Sequence, residues 1–339
     1  MTFVKRINNH FYKKIFFPRY NSNWVLGNEY KEFQNICKRI NLEKTYFPIK
    51  QYCYIPDKYY AIHKSKYHLF GNKVIFDYFH GNPIISPSFL ELYNKLKYKV
   101  NNFYKIRVSN SAMRDFFLND KFDKDKFILL PIGLNTSFFP LRLDGEKINM
   151  RTKYNLPHEA FIIGSFQKDG NGWSNGDTPK LIKGPDILIE TIKIINRKIS
   201  NLFILLTGPS RGYVKKELEK INVPYKHIYI KDYKKIYELY HTLDYYIITS
   251  REEGGPKALL ECMASGIPII STNVGQAVDL LNNKVNGCKV KSFNSEEIAS
   301  EMLNNLYPNA KIIKEARKTA EYNDYNNQLE TWKKIFPHL

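Results

Sequence analysis

The sequence has little that would place the protein in a membrane, outside the cell or around a metal ion. No apolar run approaches the roughly 18 residues that a membrane span needs. The basic N-terminus has no continuous apolar core followed by small residues, so we expect no signal peptide and a cytoplasmic location. The cysteines form no CxxC pair, so we expect reduced, buried thiols and no zinc site. They are Cys37, Cys53, Cys262 and Cys288.

Acidic residues are scarce in the N-terminal half, where none precedes Glu29. Residues 1–140 carry 23 Lys and Arg against 10 Asp and Glu, in a chain with a net charge of +19. One interpretation is an anionic partner, such as a membrane surface, nucleic acid or an acidic substrate. The other is compositional bias, because the whole chain is rich in Lys, Asn, Ile and Tyr. No recognised nucleic-acid motif is visible, so we expect no nucleic-acid partner.

Residues 3–17 combine this charge with apolar side chains at helical spacing. A basic amphipathic helix of this kind is typical of segments that lie on an anionic membrane. Peripheral association with the inner face of a membrane is one interpretation. Packing of the helix on the domain core is the other. The apolar positions are Phe3, Ile7, Phe11 and Ile15, and the basic ones between them are Lys5, Arg6, Lys13 and Lys14.

Apolar runs alternate with amphipathic segments along most of the chain, which indicates parallel sheets covered by helices on both faces. A length of 339 residues favours two domains, and we expect a doubly wound α/β fold in each. We place the N-terminal domain at 1–140, the C-terminal domain at 141–308 and a helical tail at 309–339, for which packing on the N-terminal domain is one arrangement. The predicted strands are 24–27, 73–79, 105–110, 126–131, 161–165, 202–208, 227–231, 245–250 and 268–272. The predicted helices are 28–40, 89–100, 111–118 with Ser111 as its cap, 185–198, 213–221, 234–243 and 256–265.

The segment SREEGGPKALLE (250–261) follows a predicted strand, and ligands of open α/β sheets bind beyond the carboxyl ends of strands. Gly254 and Gly255 allow the backbone to approach a ligand, and Pro256 suits the first position of a helix. The N-terminus of that helix favours an anion, and a diphosphate would also balance the charge of Lys257 in its first turn.

Two carboxylates flank this helix start. Glu261 lies about one turn inside the helix, where a carboxylate can accept hydrogen bonds from ribose hydroxyls. Glu253 precedes the helix and can meet a donor sugar or its leaving group. A surface loop with two ordinary glutamates is the alternative interpretation.

The loop 164–184 is much longer than the roughly 2–6 residues usual between a strand and a helix. It starts with Gly164 and Ser165, and its lysines Lys168 and Lys183 suit phosphate oxygens. Lys183 stands directly before a helix and is the stronger candidate. A flexible, solvated loop is the alternative.

Three features give weaker signals. His80 ends a predicted strand in the N-terminal half, where it can face the ligand of the other domain, although a lone histidine is more often structural. Gly275 follows the last predicted strand, and a tight turn is sufficient to explain it. Asp123 and Asp125 alternate with lysines, which indicates a solvated turn and not a metal site.

The spacing from Glu253 to Glu261 is the E-x7-E motif of retaining GT-B glycosyltransferases, and EEGGPKALLECMASGIPIIST resembles glycosyltransferase family 4. PKLIKGPDILIE is similar to the phosphate-contacting loop and following helix of that family. SNSAMRDFF…ILLPIGLN (109–135) is similar to the segment that leads into its interdomain linker. The resemblance covers roughly 73–290 and implies a GT-B fold, in which two Rossmann-like domains face each other across a cleft.

The resemblance also implies an activity. The chain would move a hexosyl group from a nucleotide-sugar donor to a glycan or lipid-linked acceptor, without a metal and with retained configuration, as in polysaccharide or lipopolysaccharide biosynthesis. No cofactor is expected, because the nucleotide sugar is a co-substrate. The implied catalytic residues are Glu253 at the donor sugar, Lys183 at the diphosphate and His80 from the other domain. The implied donor-binding residues are Gly164, Ser165, Lys168, Lys183, Gly254, Gly255, Pro256, Lys257 and, at the ribose, Glu261.

The chain departs from the family pattern at two places. Ser165 stands where the family often has an arginine, and Lys168 is the candidate substitute. The start of the chain lacks the usual strand with a glycine-rich turn, so the acceptor domain is abbreviated or divergent. Two other functions stay open: a GT-B phosphorylase that uses free phosphate, and a non-catalytic, transferase-like partner subunit, which the departure at Ser165 favours.

Overall fold

The computed structural model describes residues 12–22 and 25–337, which form two compact units. Unit 1 consists of the described residues up to Gly133 together with those from Tyr325 onward, and unit 2 is Leu134–Asp324. The sequence had suggested boundaries at 140 and 308. The structure divides the chain at 133 and 324, so the first helix of the predicted tail lies in unit 2 and its last residues lie in unit 1.

Unit 1 contains a six-stranded sheet in the order β2-β1-β3-β4-β5-β6, and all neighbouring strands are parallel. Its strands are β1 (Lys14–Phe16), β2 (Glu43–Thr45), β3 (Tyr52–Ile55), β4 (Lys73–Asp77), β5 (Lys105–Val108) and β6 (Phe127–Leu129). Its first helices are α1 (Val25–Arg39), α2 (Pro87–Lys99) and α3 (Ser111–Asn119). Short turns of π-helix at Tyr60–Lys64 and of 3-10 helix at Tyr67–Phe70 lie between β3 and β4.

Unit 2 contains a second six-stranded parallel sheet, in the order β12-β11-β10-β7-β8-β9. Its strands are β7 (Phe161–Ser165), β8 (Leu202–Leu206), β9 (Tyr225–His227), β10 (Tyr245–Ile248), β11 (Ile269–Thr272) and β12 (Cys288–Val290). Its helices are α4 (Glu146–Lys153), α5 (Pro185–Asn196), α6 (Gly212–Lys220), α7 (Ile236–His241), α8 (Lys257–Ser265), α9 (Ala277–Leu280), α10 (Ser295–Asn304) and α11 (Ala310–Tyr322). The last helix, α12 (Leu329–Ile335), belongs to unit 1.

The sheet of unit 2 is apolar on both faces. Ile162 lies in one hydrophobic cluster and its neighbour Ile163 lies in the other, and Tyr246 and Ile247 alternate in the same way. Because side chains alternate across a strand, a strand buried on both faces reads as a continuous apolar run. This explains why the strands of unit 2 were recognisable from the sequence. All four cysteines are buried free thiols, as predicted.

Several local predictions were wrong at the start of unit 1. Residues 14–16 form strand β1 and not the end of a helix, because they pair with β2 and β3. The residues Phe3, Ile7 and Phe11 lie outside the described part of the chain. Residues 25–27 belong to helix α1 and not to a strand, since the buried Phe33, Ile36 and Ile40 continue with helical spacing.

Three further boundaries differ from the predictions. Asn110, not Ser111, caps α3, because its side chain accepts a hydrogen bond from the amide of Met113 at 2.9 Å. Strand β9 lies at 225–227, since it pairs with the end of β8. Helix α8 begins at Lys257, so Pro256 is its N-cap residue and not its first helical residue.

The strand order of unit 2 creates a switch point between β7 and β10. From β7 the chain proceeds through β8 to β9 on one side, and β10 to β12 follow on the other. Crevices at the carboxyl ends of such neighbouring strands are the usual ligand sites of open α/β sheets. Among the helices that the structure describes, none is both long and apolar enough to cross a membrane.

Candidate functional site

The loops that follow β7 and β10 are joined at Gly184. Its φ of 62° lies in the left-handed region, and a Cβ there would overlap the carbonyl of Thr249. The Thr249 hydroxyl donates a hydrogen bond of 2.8 Å to the Gly184 carbonyl. A glycine is therefore required at this position by both conformation and close approach.

Lys183 and Glu253 meet at this junction, and the roles that the resemblance implies for them at a donor stay predictions. Lys183 Nζ lies 2.6 Å from Glu253 Oε1, and both side chains are largely buried. The hydroxyl of Ser250 donates to the same carboxylate oxygen at 2.8 Å. The Lys183 carbonyl accepts a hydrogen bond of 3.0 Å from the side-chain amide of Gln167. The switch point thus holds a positioned cation and a positioned carboxylate.

Gly275 is also part of this site, although a tight turn had seemed a sufficient reason for it. Its φ is 53°, and a Cβ there would lie 2.7 Å from the Gly254 carbonyl and 2.8 Å from that of Glu253. The loop after β11 therefore packs directly against the backbone that precedes α8. A side chain at position 275 would displace that backbone.

Glu261 lies in the first two turns of α8 and is buried. The hydroxyls of Tyr233 and Tyr240 donate to its two carboxylate oxygens, the latter at 2.8 Å. Burial raises the pKa of Glu261, and the two hydroxyls and Lys257 oppose that shift. Lys257 is the first residue of α8, and its ammonium group lies 5.9 Å from the ring centroid of Tyr233.

The loop after β7 contains an ordered hairpin. Asp169 and Lys180 face each other at its base, where the Lys180 amide donates to the Asp169 carbonyl at 2.7 Å. Gly170 and Gly176 pack against the backbone of Ser210, which leaves no room for a Cβ at either position. The glycines of this loop thus permit backbone contacts, which argues against the alternative of a flexible, solvated loop.

Lys180 is one residue of this site that the sequence analysis did not select. Its side chain is half-buried, and the charges of Lys183, Lys168 and Glu253 act on it. Burial, followed by the two neighbouring lysines, lowers the pKa of Lys180. Within the described residues, no group accepts a hydrogen bond from its ammonium nitrogen. Lysines that act electrostatically on one another beside a single carboxylate form a setting that a multiply charged anion would stabilise.

A buried arginine from another loop lies next to Ser165. Arg211, from the loop between β8 and α6, donates to the carbonyl and to the hydroxyl of Ser165. The same guanidinium forms a fully buried ion pair of 2.9 Å with Asp169. Arg211 therefore anchors the base of the hairpin. Lys168, the candidate substitute for the missing arginine, has its ammonium 3.4 Å from the ring centroid of Trp173.

The model of the family glycosyl transferases group 1 matches residues 179–323, which is less than half of the chain. An uncharacterized glycosyltransferase of Methanocaldococcus jannaschii is 29% identical over 201 residues, which is 57% of this chain and 48% of that protein. The N,N'-diacetylbacillosaminyl-diphospho-undecaprenol alpha-1,3-N-acetylgalactosaminyltransferase of Campylobacter jejuni is 22% identical over 73% of this chain and 65% of its own length. The chain thus spans about half to two thirds of these relatives.

Solved structures resemble the whole fold. HepE of Anabaena in complex with UDP has a TM-score of 0.75 at 13% identity, with 96% of this chain and 100% of that chain covered. A glycosyltransferase of Rickettsia africae has a TM-score of 0.64 at 23% identity, with 94% and 83% covered. The predicted GT-B class is confirmed in its α/β character and its two six-stranded parallel sheets.

His80 lies in unit 1, directly after β4, and its side chain is exposed. The ammonium group of the buried Lys58 lies 3.5 Å from His80 Nδ1 and also donates to the His80 carbonyl. The His80 ring packs edge-on against Phe89. The role that the resemblance implies for His80 at the donor sugar stays a prediction.

The rejected metal site is a turn in the structure. Asp123 caps a short 3-10 helix, and its carboxylate accepts a hydrogen bond of 2.9 Å from the amide of Asp125. Within the ranges that the structure describes, no three His, Cys, Asp or Glu side chains are grouped so that they could hold a metal ion.

Proposed function

We propose that the chain is a glycosyltransferase and that unit 2 binds its nucleoside-diphosphate-sugar donor at the switch point between β7 and β10. The observation that carries this proposal is the ion pair of 2.6 Å between Lys183 and Glu253, with Lys180 within electrostatic reach of both. The N-terminus of α8 comes soon after Glu253 in the chain, with Gly254 and Gly255 between them. Cations and backbone amides in this arrangement suit a diphosphate.

The same groups supply the chemistry of the proposed reaction. Departure of a nucleoside diphosphate develops negative charge, which the lysines and the start of α8 would stabilise without a metal. Glu253 and the backbone of Gly254 and Gly255 would contact the donor sugar, and Glu261 the ribose. We propose retention of configuration on the resemblance to the E-x7-E motif.

The donor base and the acceptor are proposed from the relatives. HepE structures contain UDP and UDP-glucose, which supports a uridine nucleotide here. The name of the Campylobacter jejuni relative specifies a diphospho-undecaprenol acceptor, which supports a lipid-linked or glycan acceptor. A product of this kind would belong to polysaccharide or lipopolysaccharide biosynthesis.

A panel of nucleotide sugars, scanned by thermal unfolding of the wild type and of Lys183→Ala, tests the proposal. We expect a UDP-sugar to raise the unfolding temperature of the wild type and of the matched surface variant Lys198→Ala, but not of Lys183→Ala. Hydrolysis of the stabilising donor should release a nucleoside diphosphate. The proposal would be contradicted if no nucleotide raised the unfolding temperature. It would also be contradicted if the chain used inorganic phosphate and a sugar, but no nucleotide sugar, as its substrates.

A further inference from the structure

Unit 1 exposes large apolar side chains on two neighbouring segments, 46–49 and 69–70. We call these five side chains the apolar patch. Two of them are aromatic residues that immediately follow the edge strand β2. The exposed fractions are 78% for Tyr46, 77% for Phe47, 56% for Ile49, 69% for Leu69 and 52% for Phe70.

The two segments lie side by side because hydrogen bonds join their backbones. The amide of Lys50 donates to the carbonyl of Phe70 at 3.0 Å. The side-chain amide of the buried Asn72 donates to the carbonyls of Pro48, at 2.6 Å, and Tyr67, at 2.9 Å. The apolar patch is therefore one continuous surface held by a buried polar anchor, and not two independent loop tips.

The surroundings of the apolar patch are strongly basic. Residues 44–73 contain six lysines and a single acidic residue, Asp57. The ammonium group of Lys44, the middle residue of the edge strand β2, lies 5.2 Å from the ring centroid of Tyr46. The other exposed lysines of this stretch are Lys50, Lys64 and Lys66.

We propose that the apolar patch and its lysines dock unit 1 on an anionic lipid surface. Aromatic and aliphatic side chains that protrude beside lysines suit the boundary between headgroups and acyl chains. The lysines add attraction to anionic headgroups, and their single sign distinguishes a lipid surface from a protein interface of mixed charge. This surface lies within residues 41–72, for which the sequence analysis predicts no strand or helix.

Co-sedimentation of the full chain with vesicles tests the proposal. The vesicles would contain phosphatidylcholine alone or phosphatidylcholine with phosphatidylglycerol. We expect binding to the anionic vesicles, weakened roughly tenfold or more by Tyr46→Ser with Phe47→Ser and, separately, by Lys44→Glu with Lys50→Glu. Because these side chains are exposed, the variants should keep the unfolding temperature of the wild type.

Two controls make the test specific. Tyr98→Ser removes an equally exposed aromatic side chain of unit 1, which is 90% exposed in α2, and should bind vesicles as the wild type does. Lys5→Glu with Arg6→Glu tests the N-terminal basic segment. The proposal would be overturned if the wild type did not bind anionic vesicles, or if the patch variants bound them as the wild type does. A loss of vesicle binding that occurred only in Lys5→Glu with Arg6→Glu would also overturn it. Donor-induced stabilisation should persist in the patch variants, so failure here is distinguishable from failure of the proposed function.

Discussion

The charges that act on Lys180 connect this residue to the proposed donor site. Its side chain is half-buried, and burial together with the positive charges of Lys183 and Lys168 lowers its pKa. Such an arrangement costs stability unless an anion offsets it. The two negative charges of a nucleotide-sugar diphosphate, together with the carboxylate of Glu253, would offset the three lysines.

Lys180→Ala is therefore expected to weaken donor binding. Loss of one charge-assisted hydrogen bond costs about 1.5–3 kcal/mol, which corresponds to a roughly 10- to 100-fold higher Kd for UDP. Calorimetric titration of Lys180→Ala beside the exposed control Lys198→Ala measures this. Because the wild-type lysines repel each other, Lys180→Ala should also be no less stable than the wild type. An unchanged Kd would show that Lys180 does not contact the donor.

Tyr240 is expected to stabilise unit 2 through Glu261. Its buried hydroxyl donates to Glu261 Oε2 at 2.8 Å, so Tyr240→Phe leaves a buried carboxylate with one donor fewer. We expect the free energy of unfolding to fall by about 1–3 kcal/mol in urea titrations. Tyr52→Phe is the matched control, since the buried Tyr52 hydroxyl has no hydrogen-bond partner within the described residues. Equal losses in both variants would contradict the assignment.

The sequence identified Lys183 and Glu253 because each stands next to a recognisable helix start. It missed Lys180 and Arg211 for a physical reason. Lys180 reaches the site through the hairpin, and Arg211 reaches it from the loop after β8, whose contacts set the register of the hairpin. Contacts between segments that are distant along the chain leave no periodic signal in either segment.

At the scale of elements, the hairpin at 169–180 positions lysines on both sides of its base. Gly176 and Gly172 both have positive φ, 81° and 71°. A Cβ at Gly176 would overlap the backbone of Ser210, whereas a Cβ at Gly172 would meet nothing within 4 Å. The two glycines thus separate the conformational cost of a substitution from its steric cost.

Gly176→Ala should therefore weaken donor binding more than Gly172→Ala does. Both variants carry the roughly 1–2 kcal/mol cost of an alanine in the left-handed region. Only Gly176→Ala must also push the hairpin away from Ser210, which moves Lys168 and Lys180. We expect its Kd for UDP to rise roughly tenfold while that of Gly172→Ala stays near the wild-type value. Similar Kd values in the two variants would show that the hairpin does not position the donor.

The elements of unit 2 were predictable because its strands are continuous apolar runs between helices with clear spacing. The region 41–72 was not, because β2 has three residues, β3 has four, and π- and 3-10 turns replace regular helices. Pairing with β1 and β4 holds these short strands in place. Their sequence alone is too short to show an alternation.

At the scale of the whole molecule, a buried polar network joins distant parts of the chain within unit 1. Arg107 contacts Glu29 of α1 at 3.2 Å and Asp77 of β4 at 3.9 Å. Tyr54 donates to Asp77, and Tyr325 donates to Glu29. The segment after unit 2 is thereby tied to the first helix of the chain.

This network makes the stability of unit 1 depend on pH through Asp77. Burial raises the pKa of Asp77 from 3.8 to about 7, and Arg107 and Tyr54 oppose the shift. Between these pH values the folded state holds a proton that the unfolded state has released. The stabilising contribution of Asp77 is therefore complete below pH 3.8 and is lost as the pH rises to about 7.

Asp77→Asn should remove this dependence, because an amide stays neutral throughout. We expect the wild type to lose on the order of 1–3 kcal/mol of unfolding free energy between pH 4 and pH 7 that Asp77→Asn retains. Urea titrations at several pH values measure the difference. Asp115→Asn, at an exposed carboxylate of α3, should keep the wild-type slope. Parallel slopes for the wild type and Asp77→Asn would mean that the attraction of Arg107 outweighs burial and keeps Asp77 ionised in the folded state.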